Sequence, residues 1–245
     1  MESEEVGIVA RSLRQKTESL SRAGVRHHRI SVATTPSNAS ASAPSAPSAP
    51  SAPREDHVSQ LTMMAKEVAG CTRCSELSRC RTQTVFGVGN PQAELCFVGE
   101  APGADEDAQG EPFVGAAGQL LTKIITAMGL ERRNVYICNV LKCRPPGNRT
   151  PAPDEVANCR KFLERQIDII QPKFICALGA IAAKTLLDSP LSIGMLRGRF
   201  HQYRGIPLLC TYHPAYLLRN PDAKKEVWGD MQIIMREMGL KKAEG

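Results

Sequence analysis

Short apolar segments alternate with amphipathic ones from Val58 to near the end of the chain. The apolar segments predict strands over residues 94–98, 135–141, 174–178 and 207–210. Apolar residues at helical spacing predict helices over residues 58–68, 116–128, 154–170, 180–187 and 224–238. Because strands that alternate with helices form a mostly parallel sheet covered on both faces, we expect an α/β fold whose ligands bind at the carboxyl ends of the strands.

The first part of the chain has a different composition. Residues 34–53 contain no charged and no large apolar side chain, and they end in a Ser-Ala-Pro repeat. Such a segment cannot bury enough apolar surface to offset the entropy that it loses on ordering. We therefore predict a disordered N-terminal extension over residues 1–57, with a Ser/Ala/Pro-rich linker, and one folded domain over residues 58–245.

Hydropathy and charge limit where the protein acts. No apolar run reaches the roughly 18 residues that a membrane span requires, and the acidic start at Glu2 and Glu4 is unlike a secretory signal. We expect a cytoplasmic protein without a membrane partner, associated with the nucleoid if the source is a prokaryote. The formal net charge of +6 permits a polyanionic partner without requiring one.

The chain contains nine cysteines and no export signal, so a disulfide framework is not expected. A Cys-x-x-Cys pair is followed later by two cysteines that flank a Pro-rich loop, which selects Cys71, Cys74, Cys143 and Cys159 as metal ligands. Four thiolates suit zinc or an iron–sulfur cluster, and the spacing does not choose between them. The alternative is that cysteines are small buried apolar residues, which we prefer for Cys96, Cys138, Cys176 and Cys210. Cys80 has no assignment.

Two loops leave predicted strands at the edge where ligands bind. The loop after residue 98 contains Gly99, Glu100 and Phe113; the aromatic ring could stack on a planar ligand or simply anchor the loop. The loop at His213 ends in Leu217-Leu218-Arg219, which could wedge into a base stack while the cation meets a phosphate. The alternative for these leucines is a hydrophobic anchor for the last helix.

Four motifs together carry more information than any of these features alone. They read Gly-Glu-Ala-Pro-Gly at residues 99–103, Pro-Phe-Val-Gly at 112–115, Asn-Val-Leu-Lys-Cys-Arg-Pro-Pro at 139–146 and His-Pro-Ala-Tyr-Leu-Leu-Arg at 213–219. In this order, from about Cys71 to the C-terminal helix, the sequence resembles the iron–sulfur (family 4) uracil-DNA glycosylases.

The resemblance implies a three-layer α/β/α sandwich with a mostly parallel central sheet. It implies a DNA-repair hydrolase that cleaves the N-glycosidic bond of deoxyuridine in single- or double-stranded DNA, releases uracil and leaves an abasic site for base excision repair. It also implies a structural [4Fe–4S] cluster on Cys71, Cys74, Cys143 and Cys159. We expect a monomer.

The resemblance also assigns roles to the loop residues. Phe113 would stack on uracil, Asn139 would read its edge, and His213 would donate to O2 as charge develops on the leaving base. Gly99, Ala101 and Arg219 complete the predicted substrate site. The best-known families of uracil-DNA glycosylases carry an aspartate at the place of Ala101, whereas small residues are usual in family 4, so the residue that positions water is open. The candidates in order are Glu100, then Glu106 and Asn148.

Alternatives to the glycosylase remain at this stage. The protein could bind uracil-containing DNA without catalysis or capture it covalently, although no Lys/Arg-rich insert precedes the last strand. Without the resemblance, the sequence would also fit a zinc-stabilised α/β domain that binds a nucleotide. Five arginines fall on or near loops expected to meet DNA, namely Arg144, Arg149, Arg197, Arg199 and Arg219.

Overall fold

The computed structural model describes residues 54–240. Helix α1 begins at Arg54, so only residues 54–57 of the predicted N-terminal extension fall in this range and the rest lies outside the described residues. None of the described helices is long and apolar enough to cross a membrane.

The chain alternates strands and helices as the sequence predicts. The helices are α1 (Arg54–Ala69), α2 (Ser75–Cys80), α3 (Ala104–Gln109), α4 (Ala116–Ala127), α5 (Pro153–Ile170), α6 (Ala180–Leu187), α7 (Ile193–Leu196), α8 (Pro214–Arg219) and α9 (Lys224–Glu237). The strands are β1 (Val88–Gly89), β2 (Leu95–Gly99), β3 (Tyr136–Asn139), β4 (Phe174–Leu178), β5 (Phe200–Tyr203) and β6 (Ile206–Thr211). Short 3₁₀ turns occur at Arg132–Asn134, Pro146–Asn148 and Pro221–Ala223.

The six strands form one sheet in the order β1-β3-β2-β4-β6-β5. The four inner strands are parallel to one another, whereas β1 and β5 pair antiparallel with them at the two edges. The sequence predicts the four inner strands and misses both edge strands. In particular, the connection predicted over residues 196–201 contains the start of β5.

Two apolar clusters cover the two faces of this sheet. On one face, α5 and α6 pack Leu163, Ile167 and Leu186 against the strands. On the other face, α4 and α9 contribute Leu121, Ile125 and Met231 among others. The fold is therefore the predicted three-layer α/β/α sandwich with a mostly parallel central sheet.

The register of the inner strands brings the predicted site residues together. Gly99 at the end of β2 lies beside Asn139 at the end of β3. Leu178 at the end of β4 lies beside Thr211 at the end of β6, two residues before His213. Because these strands are parallel, the loops that carry the motifs all leave the same edge of the sheet.

Candidate functional site

A cavity of about 420 Å³ opens at the carboxyl ends of the strands. Of the nine residues predicted to catalyse or bind substrate, Gly99 is the one that does not line the cavity directly. The eight that do are Glu100, Ala101, Glu106, Phe113, Asn139, Asn148, His213 and Arg219. Topology therefore collects residues that lie far apart in the sequence.

Asn139 has an amide oxygen without a partner. The side chain is 1% exposed, and Oδ1 is the one buried side-chain polar atom among the described residues that makes no hydrogen bond. A Cβ atom on Gly99 would overlap both this oxygen and the Phe113 ring. Glycine at this position therefore leaves room for the two groups, and the unsatisfied oxygen is available for a ligand.

Phe113 occupies a conformation that non-glycine residues seldom adopt. Its φ is 56°, and its side chain is buried at 6% exposure. Gly118 in α4 permits this, because a Cβ atom there would overlap the Phe113 carbonyl group. The ring lies with its centroid 5.5 Å from that of His213. The strained backbone at Phe113 thus fixes an aromatic ring at the cavity wall.

Glu106 fixes the loop that carries this ring. One carboxylate oxygen accepts hydrogen bonds from the backbone N–H groups of Val114 and Gly115, each at 3.0 Å. The other accepts from the N–H of Gly103 at 3.1 Å. Three backbone donors occupy the carboxylate, so it braces the two ends of the loop.

His213 stands at the start of α8 with its ring orientation set by the backbone. Its Nδ1 accepts a hydrogen bond from the N–H of Ala215 at 3.1 Å, so in the neutral ring the proton is on Nε2. Burial, followed by the nearby Arg219 charge, lowers the pKa of His213 to about 4. At neutral pH the ring is therefore an uncharged Nε2–H donor.

The other polar residues of the cavity differ in how free they are. Burial raises the pKa of Glu100, whose side chain faces the cavity. Asn148 Oδ1 accepts a 2.8 Å hydrogen bond from Arg144. Arg149 binds both carboxylate oxygens of Glu155 and also Glu76, so its guanidinium is already paired. Of the two carboxylates that line the cavity, Glu106 is held by backbone donors, so Glu100 is the one that remains available to a ligand.

Two sequence interpretations need correction. Arg197, expected near phosphate, is instead held by Asp230 and Glu226 at 2.9 and 3.1 Å. The segment with Leu217 and Leu218 is helix α8 and not part of a loop; Leu217 is buried at 1% exposure, which fits the anchor alternative. Leu218 is 48% exposed, so it is the one of the two that could enter a base stack.

Tyr216 also lines the cavity, although the sequence assigned it no role. His213, Tyr216 and Arg219 follow each other at intervals of three residues, so they lie along one side of α8. That spacing is the signal that could have identified Tyr216.

The four predicted metal ligands line a second pocket. Cys71, Cys74, Cys143 and Cys159 surround it together with apolar residues and three polar side chains, and its cavity volume is about 20 Å³. Within residues 54–240, no group of three or more His, Cys, Asp or Glu side chains is arranged to hold a metal ion. Four thiols around one space nevertheless are a donor set for a soft metal centre.

Nitrogen donors approach three of these sulfur atoms. Arg81 Nη1 lies 3.0 Å from the sulfur of Cys143, the backbone N–H of Lys142 lies 3.3 Å from that of Cys159, and Asn158 Nδ2 lies 3.7 Å from that of Cys74. Burial outweighs these donors and raises the pKa of all three thiols, to about 11 for Cys159. Without a metal the thiols are thus protonated at neutral pH.

Four of the five remaining cysteines are buried, as the sequence predicts. Cys96, Cys138, Cys176 and Cys210 are buried in the strands. Cys80 is exposed at the end of α2 and does not line the pocket.

Comparison with known proteins agrees with this geometry. A family model described as the uracil DNA glycosylase superfamily matches residues 86–232. The type-4 uracil-DNA glycosylase of Archaeoglobus fulgidus is 42% identical over 192 residues, which cover 75% of this chain and 96% of the relative. That of Thermotoga maritima is 48% identical over 162 residues, covering 65% of this chain and 84% of the relative.

A more distant match is the type-5 uracil-DNA glycosylase of Pyrobaculum aerophilum, 31% identical over 146 residues that cover 53% of this chain and 64% of the relative. The type-4 proteins match over a larger share of the chain and at higher identity. The chain therefore belongs to the uracil DNA glycosylase superfamily and, within it, to the type-4 family.

Proposed function

We propose that this protein hydrolyses the N-glycosidic bond of deoxyuridine in DNA, releases uracil and leaves an abasic site for base excision repair. The unpartnered amide oxygen of Asn139, buried in a cavity framed by Phe113 and His213, carries the proposal. Such an arrangement suits a flat base that offers one donor and one acceptor on the same edge. A base in this cavity must leave its stack, which single strands allow and duplexes permit by base flipping.

Recognition of uracil would fall to Asn139 and Phe113. The amide oxygen accepts from N3–H of uracil, and the amide nitrogen donates to O4. Cytosine offers the opposite pattern at N3 and N4, so it would leave two buried groups unsatisfied. The fixed Phe113 ring stacks against the base and excludes water from one side.

His213 would act on the leaving base. As the glycosidic bond breaks, negative charge develops on the uracil ring, and the Nε2–H of the neutral His213 donates to O2. The ring is held by the Ala215 N–H before substrate arrives, so little reorganisation is needed at the moment of reaction. The sugar passes through an oxocarbenium-like state.

Water must then add to the anomeric carbon, and Glu100 is our candidate to position it. Its raised pKa keeps the carboxylate closer to the range where a base accepts a proton. Glu106 is assigned a positioning role, because its oxygens bind the loop of Phe113. Asn148, paired with Arg144, supports the rim of the cavity.

The DNA backbone would meet Arg219. Arg219 lines the cavity and takes part in no ion pair within residues 54–240, unlike Arg149 and Arg197. A cation at the mouth of the cavity fixes the phosphate next to the flipped nucleotide and so the register of the strand.

The four cysteines would hold a [4Fe–4S] cluster. A single zinc ion requires four sulfurs at about 2.3 Å from one point, whereas a cluster spreads its thiolate ligands farther apart. The N–H donors of Arg81 and Lys142 would stabilise the negative charge on the sulfurs. Through such a cluster the cysteines would join the segment between α1 and α2, the segment after β3 and helix α5, and the cluster would supply structural support.

Covalent capture is disfavoured by the structure of the segment before β6. His201, the histidine of that segment, lies in β5 with Nε2 2.7 Å from the carbonyl oxygen of Leu196, and it does not line the cavity.

A uracil-release assay tests the proposal. Purified holoprotein, without added metal or nucleotide, should liberate free uracil from a single-stranded oligonucleotide with one dU and leave alkali-labile strands. The matched strand with dC in that place should stay intact. Unreacted dU after prolonged incubation, or a protein–DNA adduct that survives denaturing electrophoresis in place of free uracil, would refute it.

A further inference from the structure

Three residues with chemically different side chains line the cavity from one side of helix α8. His213 stands at the start of the helix, Tyr216 follows after one turn and Arg219 after a second. Leu217 turns to the core and anchors the helix. His213 acts on the base and Arg219 is placed for a phosphate, so the Tyr216 ring lies between the base site and the backbone site.

The Tyr216 ring is supported from behind by a second aromatic ring. The centroids of Tyr212 and Tyr216 lie 4.9 Å apart with an angle of 33° between the ring planes. Tyr216 is still 38% exposed, which is high for an aromatic side chain that has one neighbour stacked against it. An aromatic surface therefore remains open at the cavity mouth.

A buried ion pair keeps this support in place. The guanidinium of Arg197 lies 5.2 Å from the centre of the Tyr212 ring. Arg197 is itself fixed by Asp230, which is 1% exposed and also accepts a 2.6 Å hydrogen bond from Thr211. The stack of Arg197, Tyr212 and Tyr216 is thus ordered before any ligand binds, which lowers the entropy that stacking on it would cost.

We propose that the open face of Tyr216 binds the nucleobase adjacent to the flipped uridine. The inference rests on the proposed function and names a second base site next to the first. Aromatic rings accept any base, because every base has a flat π surface, so this site adds affinity without reading sequence. It matters most in single strands and at unpaired neighbours, where the adjacent base is free to stack on the protein.

The test removes the neighbouring base and the ring separately and together. Short single strands carry 2′-fluoro-2′-deoxyuridine, whose fluorine disfavours the oxocarbenium-like state, and a tetrahydrofuran abasic residue replaces the base on its 5′ or 3′ side. Fluorescence anisotropy gives Kd without cleavage. Removing the base on one of the two sides should weaken binding by the wild-type protein roughly 5- to 150-fold.

Tyr216→Ala should lose a similar factor on the complete strand and then be insensitive to the missing base. Tyr216→Phe should keep the wild-type pattern, since it keeps the ring. Met63→Ala removes a side chain that is 72% exposed on α1 and serves as the matched control. Equal melting temperatures show that the variants fold.

Two results would overturn the inference. The first is a wild-type Kd that does not change when either neighbouring base is removed. The second is a Tyr216→Ala variant whose Kd changes as much as that of the wild type when a neighbouring base is removed. Because Kd is measured without cleavage, failure of this site differs from failure of the proposed function. The latter shows as an absence of uracil release from the cleavable dU strand.

Discussion

The base cavity and the cysteine pocket differ in how far the chain alone satisfies their polar groups. In the cavity, backbone N–H groups already fix His213 and Glu106, and Asn139 Oδ1 is left for the ligand. In the cysteine pocket, N–H donors reach the sulfurs, yet burial raises the pKa of Cys143 and Cys159. The first site is formed before its ligand binds, whereas the second would need the proposed metal to ionise its thiols.

The two sites share one short segment. Asn139 ends β3 and Cys143 lies four residues later, so the residue proposed to read the base and one proposed metal ligand are carried by the same stretch of chain. Between them, the ammonium group of the buried Lys142 donates to the carbonyl oxygen of Asn139 at 2.8 Å. Disruption of the cysteine pocket should therefore disturb the base cavity, whereas a change in the base cavity should leave the cysteine pocket intact.

The largest effect is expected from Cys143→Ser. Because metal binding to such thiolates contributes directly to folding, the variant should lose the broad visible absorbance of a cluster, much of its solubility and its uracil release together. Visible spectra, iron content and melting temperature measure this. Cys80→Ser, at an exposed cysteine, should change none of them. A soluble Cys143→Ser protein with unchanged colour would contradict the ligand role.

His213→Ala should impair the base cavity and leave the cysteine pocket unchanged. Removing a donor aimed at the developing charge lowers kcat by about 100- to 1000-fold. DNA affinity and visible absorbance should stay close to wild type, and the melting temperature should fall only slightly, because the His213 side chain caps the start of α8 through the Ala215 N–H. Single-turnover uracil release and anisotropy on the same strand give the two numbers. An equal loss of kcat and affinity would argue for a binding role instead.

Asn139→Asp should have a smaller effect and act on selectivity. The carboxylate cannot donate to O4, and an unpaired buried polar group costs about 1–3 kcal/mol, so the kcat/KM ratio of dU to dC should fall roughly 5- to 150-fold. The measurement is uracil and cytosine release from matched strands. Gly99→Ala offers a second test, because its Cβ would displace both Asn139 and Phe113 and should lower both the rate of release and the preference for dU.

Much of this architecture follows from local sequence signals. The inner strands are continuous apolar runs such as residues 174–178, which are buried on both faces and so readily identified. The parallel topology then brings the ends of β2, β3 and β6 to one edge, which is why the predicted residues meet in one cavity. Spacing also selected the four cysteines that share a pocket.

The features that the sequence did not predict depend on tertiary contacts. Strand β5 is half-exposed and contains His201 and Gln202, so it lacks an apolar run and forms because β6 offers an edge. Helix α3 is rich in acids and is fixed by Asp107, which accepts from the N–H of Thr82. The pairing of Arg197 with Asp230 joins residues from distant elements, and no local pattern indicates it.

The smallest expected effect concerns pH and depends on the depressed pKa of His213. Burial holds this pKa near 4, so the imidazole remains a neutral donor well below the usual value of 6.5. Burial also raises the pKa of Glu100, so Glu100→Gln serves as the background that removes this second titrating group. In that variant, kcat/KM for uracil release should stay nearly constant from pH 7 to 5.5.

An ordinary histidine would be about nine-tenths protonated at pH 5.5. Because a neutral His213 with Nδ1 bound to the Ala215 N–H is the form present throughout this range, the expected change is less than about twofold, at constant visible absorbance of the holoprotein. A tenfold change centred near pH 6.5 would show that His213 titrates as a free imidazole. The base cavity would then not be formed in advance, and its contrast with the cysteine pocket would fail.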